Sequence, residues 1–283
     1  MGAPPQVIIH PDADILAAAT AARLIISLQE AQAARGTASV VLTGGGIGTA
    51  TLRAVRDSPI VETVDWAQVD VWWGDERFVP LDSTDRNDGQ ARAAMLDALP
   101  LDPARIFMMG DPGSTADADA AATTYVQLLA GHATAGTPSP ARTTAHTKAA
   151  HTKAGDTKTG DTTAATPAFD VLLLGIGPDG HVASIFPGSP AVDARTTAVA
   201  VRDSPKPPPI RITLTFPAIQ AAREVWVLAA GETKADVVAR ALAGACPTEI
   251  PAAGAQGRER TLWLLDRAAA AGIPAVDMPA PGR

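Results

Sequence analysis

His181 follows Asp179 by two residues in the stretch FDVLLLGIGPDGHVASIFPGSP, residues 169–190. Histidine exchanges a proton near neutral pH and a neighbouring carboxylate can orient its ring, so the pair is equipped for general acid–base work. The apolar run 171–174 breaks abruptly into Gly175, Gly177 and Gly180, as a buried parallel strand does where chemistry sits at its carboxyl end. A second charged group, Asp75, Glu76 and Arg77 in GDERFVP, follows directly on a strand-like segment at 69–73, where a core strand gains nothing from charge. A third candidate, TGGGIG at 43–48, lies between a strand at 39–42 and a helix at 49–56. Glycines let an anion approach the backbone there, and the N–H groups and dipole of a helix start attract it. Lys234 lies in the first turn of another helix, in GETKADVVARAL. A cation in that position opposes the dipole, which suits Lys234 to holding an anion.

Other chemistries fit less well. Gly44 and Gly46 begin a G-x-G-x-x-G, but Thr49 stands at the third glycine and no G-K-[ST] follows for a P-loop. GIGPDG at 175–180 spells the dinucleotide pattern, yet Pro187 stops any helix after a turn or two, too short for a βαβ crossover. No G-x-S-x-G elbow of a serine esterase occurs. The single cysteine, Cys246, permits no internal disulfide and reads as filler. His146 and His151 have neither cysteines nor a carboxylate arrangement around them, so no metal site is expected.

Strands and helices must alternate to position these groups. QVIIH at 6–10 begins the series, and Asp12 or Asp14 caps a helix in which Ile15, Leu16, Leu24, Ile25 and Leu28 keep helical spacing up to Gly36. A loop and cap at 82–87, a helix at 88–99, a strand at 105–109 and a helix at 115–130 follow the segment at 69–73. Beyond residue 190, strands are expected at 196–201, 211–216, 224–229 and 262–265, with SPKPPP at 204–209 an extended loop and a closing helix at 266–271. This alternation specifies an α/β fold: a mostly parallel, Rossmann-like sheet with helices on both faces. Residues 131–168 differ, being Ala, Thr, Gly, Lys and Pro with near-repeats AHTKA, AHTKA and GDTKTGD. Without large apolar residues that segment cannot offset its ordering entropy, so a disordered insert within a single domain spanning 1–283 is expected.

A chain of 283 residues can bury a sizeable core. Its formal charge of −7 argues against a general nucleic-acid binder and leaves room for a local basic pocket. The N-terminal MGAPPQVIIHPDAD lacks a basic region followed by a long apolar one, and no run reaches the roughly 18 apolar residues of a membrane span. A soluble cytoplasmic protein without a membrane partner is expected.

Five segments together resemble the 6-phosphogluconolactonase family, a relative of the glucosamine-6-phosphate isomerase/deaminase family. They are LTGGG at 42–46, WWGDERFVPLDSTDRN at 72–87, LLGIGPDGHVASIFPG at 173–188, PPIRITLT at 208–215 and GETKA at 231–235, and they occur in the family's order. The resemblance implies hydrolysis of 6-phosphogluconolactone to 6-phosphogluconate in the oxidative pentose phosphate pathway, with no metal or organic cofactor. The expected partner is the sugar phosphate alone, for a monomer or small homo-oligomer. By motif, His181 is the base that activates water, in its neutral form, so that activity falls as His181 protonates. Asp179 and Asp75 orient His181 or the sugar hydroxyls, and Arg77 stabilises the tetrahedral oxyanion or holds the substrate. The phosphate is expected on Thr43, Gly44 and Gly45, with positive charge from Arg211 and Lys234. In the isomerase/deaminase version the segment after DGH ends in an Asn-Glu-Pro whose Glu takes part in ring opening. Ile185, Phe186 and Pro187 stand here, and phenylalanine cannot carry a proton.

Overall fold

Unbroken apolar runs such as 171–174 and 225–229 bury both faces of a strand, and a parallel sheet sandwiched between helices offers that environment. The computed structural model describes residues 4–133 and 165–274. In chain order its strands and α-helices are β1 (Gln6–His10), α1 (Ala13–Arg35), β2 (Ala38–Leu42), α2 (Gly45–Arg56), β3 (Val69–Trp73), β4 (Asp75–Arg77), α3 (Asn87–Ala94), α4 (Ala118–Ala133), β5 (Val171–Gly175), β6 (Ala198–Val201), β7 (Arg211–Leu214), α5 (Phe216–Ala221), β8 (Glu224–Ala229), α6 (Ala235–Leu242) and β9 (Arg260–Asp266). Six strands form an all-parallel sheet in the order β1-β9-β8-β5-β2-β3. Successive side chains alternate between its faces. Val41, Leu172, Leu174, Val227 and Leu265 pack with α4, α5 and α6, whereas Val40, Leu42, Leu173, Leu228 and Leu264 pack with α1, α2 and α3. The expected α/β class therefore holds, with helices on both faces.

The termini of α1 are fixed by the residues that its sequence pattern singles out. Asp12 Oδ1 accepts the Ile15 N–H at 2.8 Å, and Gly36 ends the helix at φ +81° with its N–H on Gln32 O. Differences arise where tertiary partners decide. Residues 75–77, expected as a charged stretch following a strand, and 211–214, within the strand expected at 211–216, pair with each other and with β6 in a second, antiparallel sheet of order β4-β7-β6. Gly74 joins the sheets: its N–H donates to Leu42 O at 3.0 Å and its carbonyl accepts from Leu214 N at 2.8 Å.

The strand expected at 105–109 is replaced by a 3-10 turn at Pro103–Arg105 and a single bridge from Ile106 to Val71. There the Tyr125 hydroxyl, from α4, meets the backbone of β3, accepting from Trp73 N at 3.1 Å and donating to Trp73 O at 3.3 Å. The helix expected at 88–99 ends early, at Ala94, and resumes only as a 3-10 turn, Leu96–Ala98. The closing helix expected at 266–271 is a run of turns, although Asp266 accepts the Ala269 N–H at 2.7 Å as a helix cap would, and its carboxylate also serves Gly231. Helix α4 extends to Ala133, so the first residues of the segment expected as an insert are helical. Residues 134–164 of that segment, with His146 and His151, lie outside the described residues. Among the described residues no helix is long and apolar enough to cross a membrane, and no His/Cys/Asp/Glu group is arranged to hold a metal ion.

Candidate active site

The carboxyl ends of β2, β5 and β8, together with β4 and the loop before β7, surround a cleft of about 410 Å³. His181 enters it from the tight turn after β5, which is closed by Gly177 N to His181 O at 2.9 Å and Gly180 N to Gly177 O at 3.0 Å. Gly177 has to be glycine there, because a Cβ would overlap His181 Nδ1 and Asp179 Oδ1. His181 Nδ1 lies 2.5 Å from Asp179 Oδ1, and the Phe186 ring lies 4.5 Å from the imidazole. With Nδ1 engaged, Nε2 is the nitrogen left for a reactant. Burial pushes the Asp179 carboxyl up, but the hydrogen bond with His181 and the charge of Lys206 outweigh it and hold Asp179 well below the usual carboxylate range.

The three charges of GDERFVP separate in space. Asp75 lines the cleft but pairs with neither His181 nor Asp179; its Oδ2 accepts from Ser184 Oγ at 2.6 Å and lies 3.9 Å from Arg211 Nη1, and its Oδ1 accepts from Asn87 Nδ2 at 3.2 Å. The carboxylate in contact with His181 is thus that of Asp179, while Asp75 joins the second sheet to the histidine loop through Ser184. Arg77 also lines the cleft and donates to Asn87 Oδ1 and to Asp85 O. Glu76 turns the other way, into a buried network. Its oxygens accept the N–H groups of Arg77, Asn87 and Asp88 at 2.7–2.8 Å, so it caps α3, which has no side-chain cap of its own. Arg86, fully buried, faces it at 3.8 Å.

At the far end of the cleft the glycine stretch differs from its expected form. Helix α2 starts at Gly45 rather than at Thr49, so Gly45 and Gly46 are themselves its first turn, and Gly45 lies at the left-handed φ of +81°. The first turn carries no acidic residue and the capping Gly44 offers no side chain, which leaves its N–H groups facing the cleft for an anion. Thr43 Oγ1 accepts the Gly175 N–H at 3.1 Å and so ties this stretch to the start of the histidine turn. Lys234 lines the same cleft from a 3-10 turn, Glu232–Lys234, that precedes α6. Burial and the ammonium of Lys206 lower the Lys234 amine from its ordinary value. Gly231, at φ +93°, sets that turn, with its N–H 3.0 and 3.1 Å from the two carboxylate oxygens of Asp266.

Arg211 lines the cleft too, but much of its guanidinium is already committed: Nε donates to Pro208 O at 3.1 Å and Nη2 to Lys206 O at 3.0 Å. It carries charge and shapes the loop at once. That loop delivers a cation the motifs did not single out, Lys206, whose Nζ lies 3.5 Å from His181 Nδ1 and 3.6 Å from Asp179 Oδ1. The only signal for it in the sequence is a lone charge set among four prolines and a serine in SPKPPP.

A parallel α/β scaffold with a His–carboxylate pair and a cationic, glycine-walled cleft suits a small anionic ligand. The chain belongs to the glucosamine-6-phosphate isomerases/6-phosphogluconolactonase family, whose model matches residues 11–263. It is 51% identical over 273 residues to a 6-phosphogluconolactonase of Streptomyces coelicolor, covering 95% of each chain. It is 48% identical over 271 residues to the 6-phosphogluconolactonase of Mycobacterium tuberculosis, covering 94% of this chain and 97% of that one. The solved structure of 6-phosphogluconolactonase from Trypanosoma brucei superposes with a TM-score of 0.74 at 28% identity, over 95% of this chain and 99% of that one.

Proposed function

We propose that this protein hydrolyses 6-phosphogluconolactone to 6-phosphogluconate, the lactone-opening step of the oxidative pentose phosphate pathway. The observation that carries the reading is the His181–Asp179 pair at 2.5 Å, set in one cleft with the bare N-terminus of α2 and Lys234. The phosphate lies against Thr43, Gly44 and Gly45, with Lys234 beside it. Asp179 accepts from Nδ1–H and fixes the tautomer in which Nε2 is unprotonated. A water attacks the lactone carbonyl carbon as Nε2 takes one of its protons. The carbonyl oxygen gains the displaced electron pair, and the positive charge of Arg77 and Lys206 stabilises it. Collapse of the tetrahedral intermediate breaks the bond to the ring oxygen, which takes the proton back from Nε2 and leaves as a hydroxyl. The product is a carboxylic acid that ionises in water.

Phe186 supports hydrolysis over isomerisation. It fills the place beside His181 with a buried aromatic ring, and Arg211 lies 5.7 Å from the centre of that ring, so no second proton carrier stands at that position. The test is acid formation from 6-phosphogluconolactone above its spontaneous hydrolysis; folded protein without acceleration overturns the reading, and ketose or ammonia release from an aldose or amino-sugar phosphate would replace it. Lys234→Ala is expected to raise KM about 10- to 100-fold, the value of a hydrogen bond to a charged group, with a smaller change in kcat. Initial-rate kinetics decide this, and a fall confined to kcat would move Lys234 into the chemical step. The same reading makes the protein a cytoplasmic enzyme, working on a metabolite whose charge keeps it within the cell.

A further inference from the structure

Asn87 joins three parts of the cleft. It is the first residue of α3, only 3% exposed, and its own N–H donates to Glu76 Oε1 at 2.7 Å, which fixes its backbone. Its side-chain amide is used at both ends. Nδ2 donates to Asp75 O at 2.8 Å and to Asp75 Oδ1 at 3.2 Å, and Oδ1 accepts from Arg77 Nη1. The third part is the glycine stretch: a Cβ on Gly44 would overlap Asn87 Oδ1, so Gly44 is glycine partly to admit this amide. Arg77 keeps one buried donor, Nε, with no acceptor among the described residues, and its side chain lines the cleft.

We propose that Asn87 is a positioning residue for the lactone hydrolysis, acting through Arg77. Its carbonyl oxygen turns the guanidinium toward the developing oxyanion while its NH₂ group holds Asp75 in register with Arg77. Only an amide supplies both. A carboxylate would repel Asp75, an aliphatic side chain would remove the bonds to Arg77 and to Asp75, and a longer amide would crowd Gly44. This inference rests on the functional reading above. The two are separable, because hydrolysis by the wild type establishes that reading whatever the Asn87 variants do.

The experiment is a double-mutant cycle on lactone hydrolysis with Asn87→Ala, Arg77→Ala and the two combined, with melting temperatures taken in parallel. Asn87→Ala is expected to lower kcat about 10- to 100-fold, and the combined variant to be no slower than Arg77→Ala alone. Losses that multiply, or a wild-type kcat in Asn87→Ala, would overturn the proposal. Asn87→Asp keeps the volume and the acceptor for Arg77, so it tests the idea even where Asn87→Ala fails to fold. It is expected to lower kcat with KM little changed, because its second oxygen faces the Asp75 carbonyl and carboxylate where the NH₂ group stood. A kcat equal to that of wild type in Asn87→Asp, or a loss that appears only together with a comparable fall in melting temperature, would sink the assignment.

Discussion

Asparagine in place of His181 is expected to lower kcat/KM for 6-phosphogluconolactone by about 10²- to 10⁴-fold, the usual worth of a positioned general base. The melting temperature should stay close to wild type, because the ring borders the cleft and its partner Asp179 remains partly solvated. The pH profile carries a second check. The folded-state pKa of Asp179 is depressed, so this carboxylate stays ionised through neutral and mildly acidic pH and loses its charge only in strong acid. A general base works only in its unprotonated form, so kcat/KM should be lost as pH falls, and the residual rate of the asparagine variant should lack that loss. A variant with full activity would assign His181 to structure and leave the water without a base.

The largest effect on stability is expected at Arg86. Its Nε and Nη2 donate to the two oxygens of Asp88 at 2.9 and 3.2 Å, Nη1 to Val79 O at 3.2 Å and Nη2 to Met109 O at 2.9 Å, with the Arg86 side chain itself fully buried. Arg86→Met keeps much of the volume but leaves Asp88 and Glu76 buried without a cation. Removing one partner of such a pair costs about 3–5 kcal/mol. In a domain of this size that is a fall in melting temperature on the order of 10 °C.

The pH dependence follows from Glu76, whose carboxyl is pushed up by burial to about 7, against the N–H groups of Asn87 and Asp88 and the charge of Arg86. A folded-state pKa above the unfolded one means that Glu76 contributes stability below the ordinary carboxylate range and loses it as pH rises toward 7. Without Arg86 that pKa rises further, so the variant should lose stability more steeply than wild type between pH 5 and pH 8. Denaturant titrations at the two pH values check this, and equal losses would mean that Glu76 carries no charge in either protein.

The histidine turn was legible because its determinants are local. An apolar run, three glycines and a charged pair fall within a dozen residues, and the turn is closed by bonds among those same residues. Asp12 and Gly36 were legible at the ends of α1 for the same reason. The antiparallel sheet was not, since β4 finds its partner in β7 more than a hundred residues away, and short charged strands such as DER carry no periodic signal. The start of α2 was missed because glycine is a poor helix former; the stretch is helical through its packing on α1 and α3, not through propensity. Glu76 looked functional from its neighbours, yet its carboxylate caps α3 from another element, an arrangement visible only once β4 and α3 are side by side. Lys206 escaped for a related reason: a loop gives its charge no direction until Arg211 gathers the loop's carbonyls.

The seam at Gly74 gives the cleft a built-in ruler. The glycine stretch and Lys234 belong to the large sheet, while Arg77 and Lys206 ride on or beside the small one, and Ser184 fastens the histidine turn to that small sheet through Thr213 and Asp75. Between the two ends, a single residue closes a rung on each side, one through its N–H and one through its carbonyl. The distance between the glycine stretch and Arg77 is therefore set by the backbone at the junction of the sheets, as well as by the side chains that line the cleft.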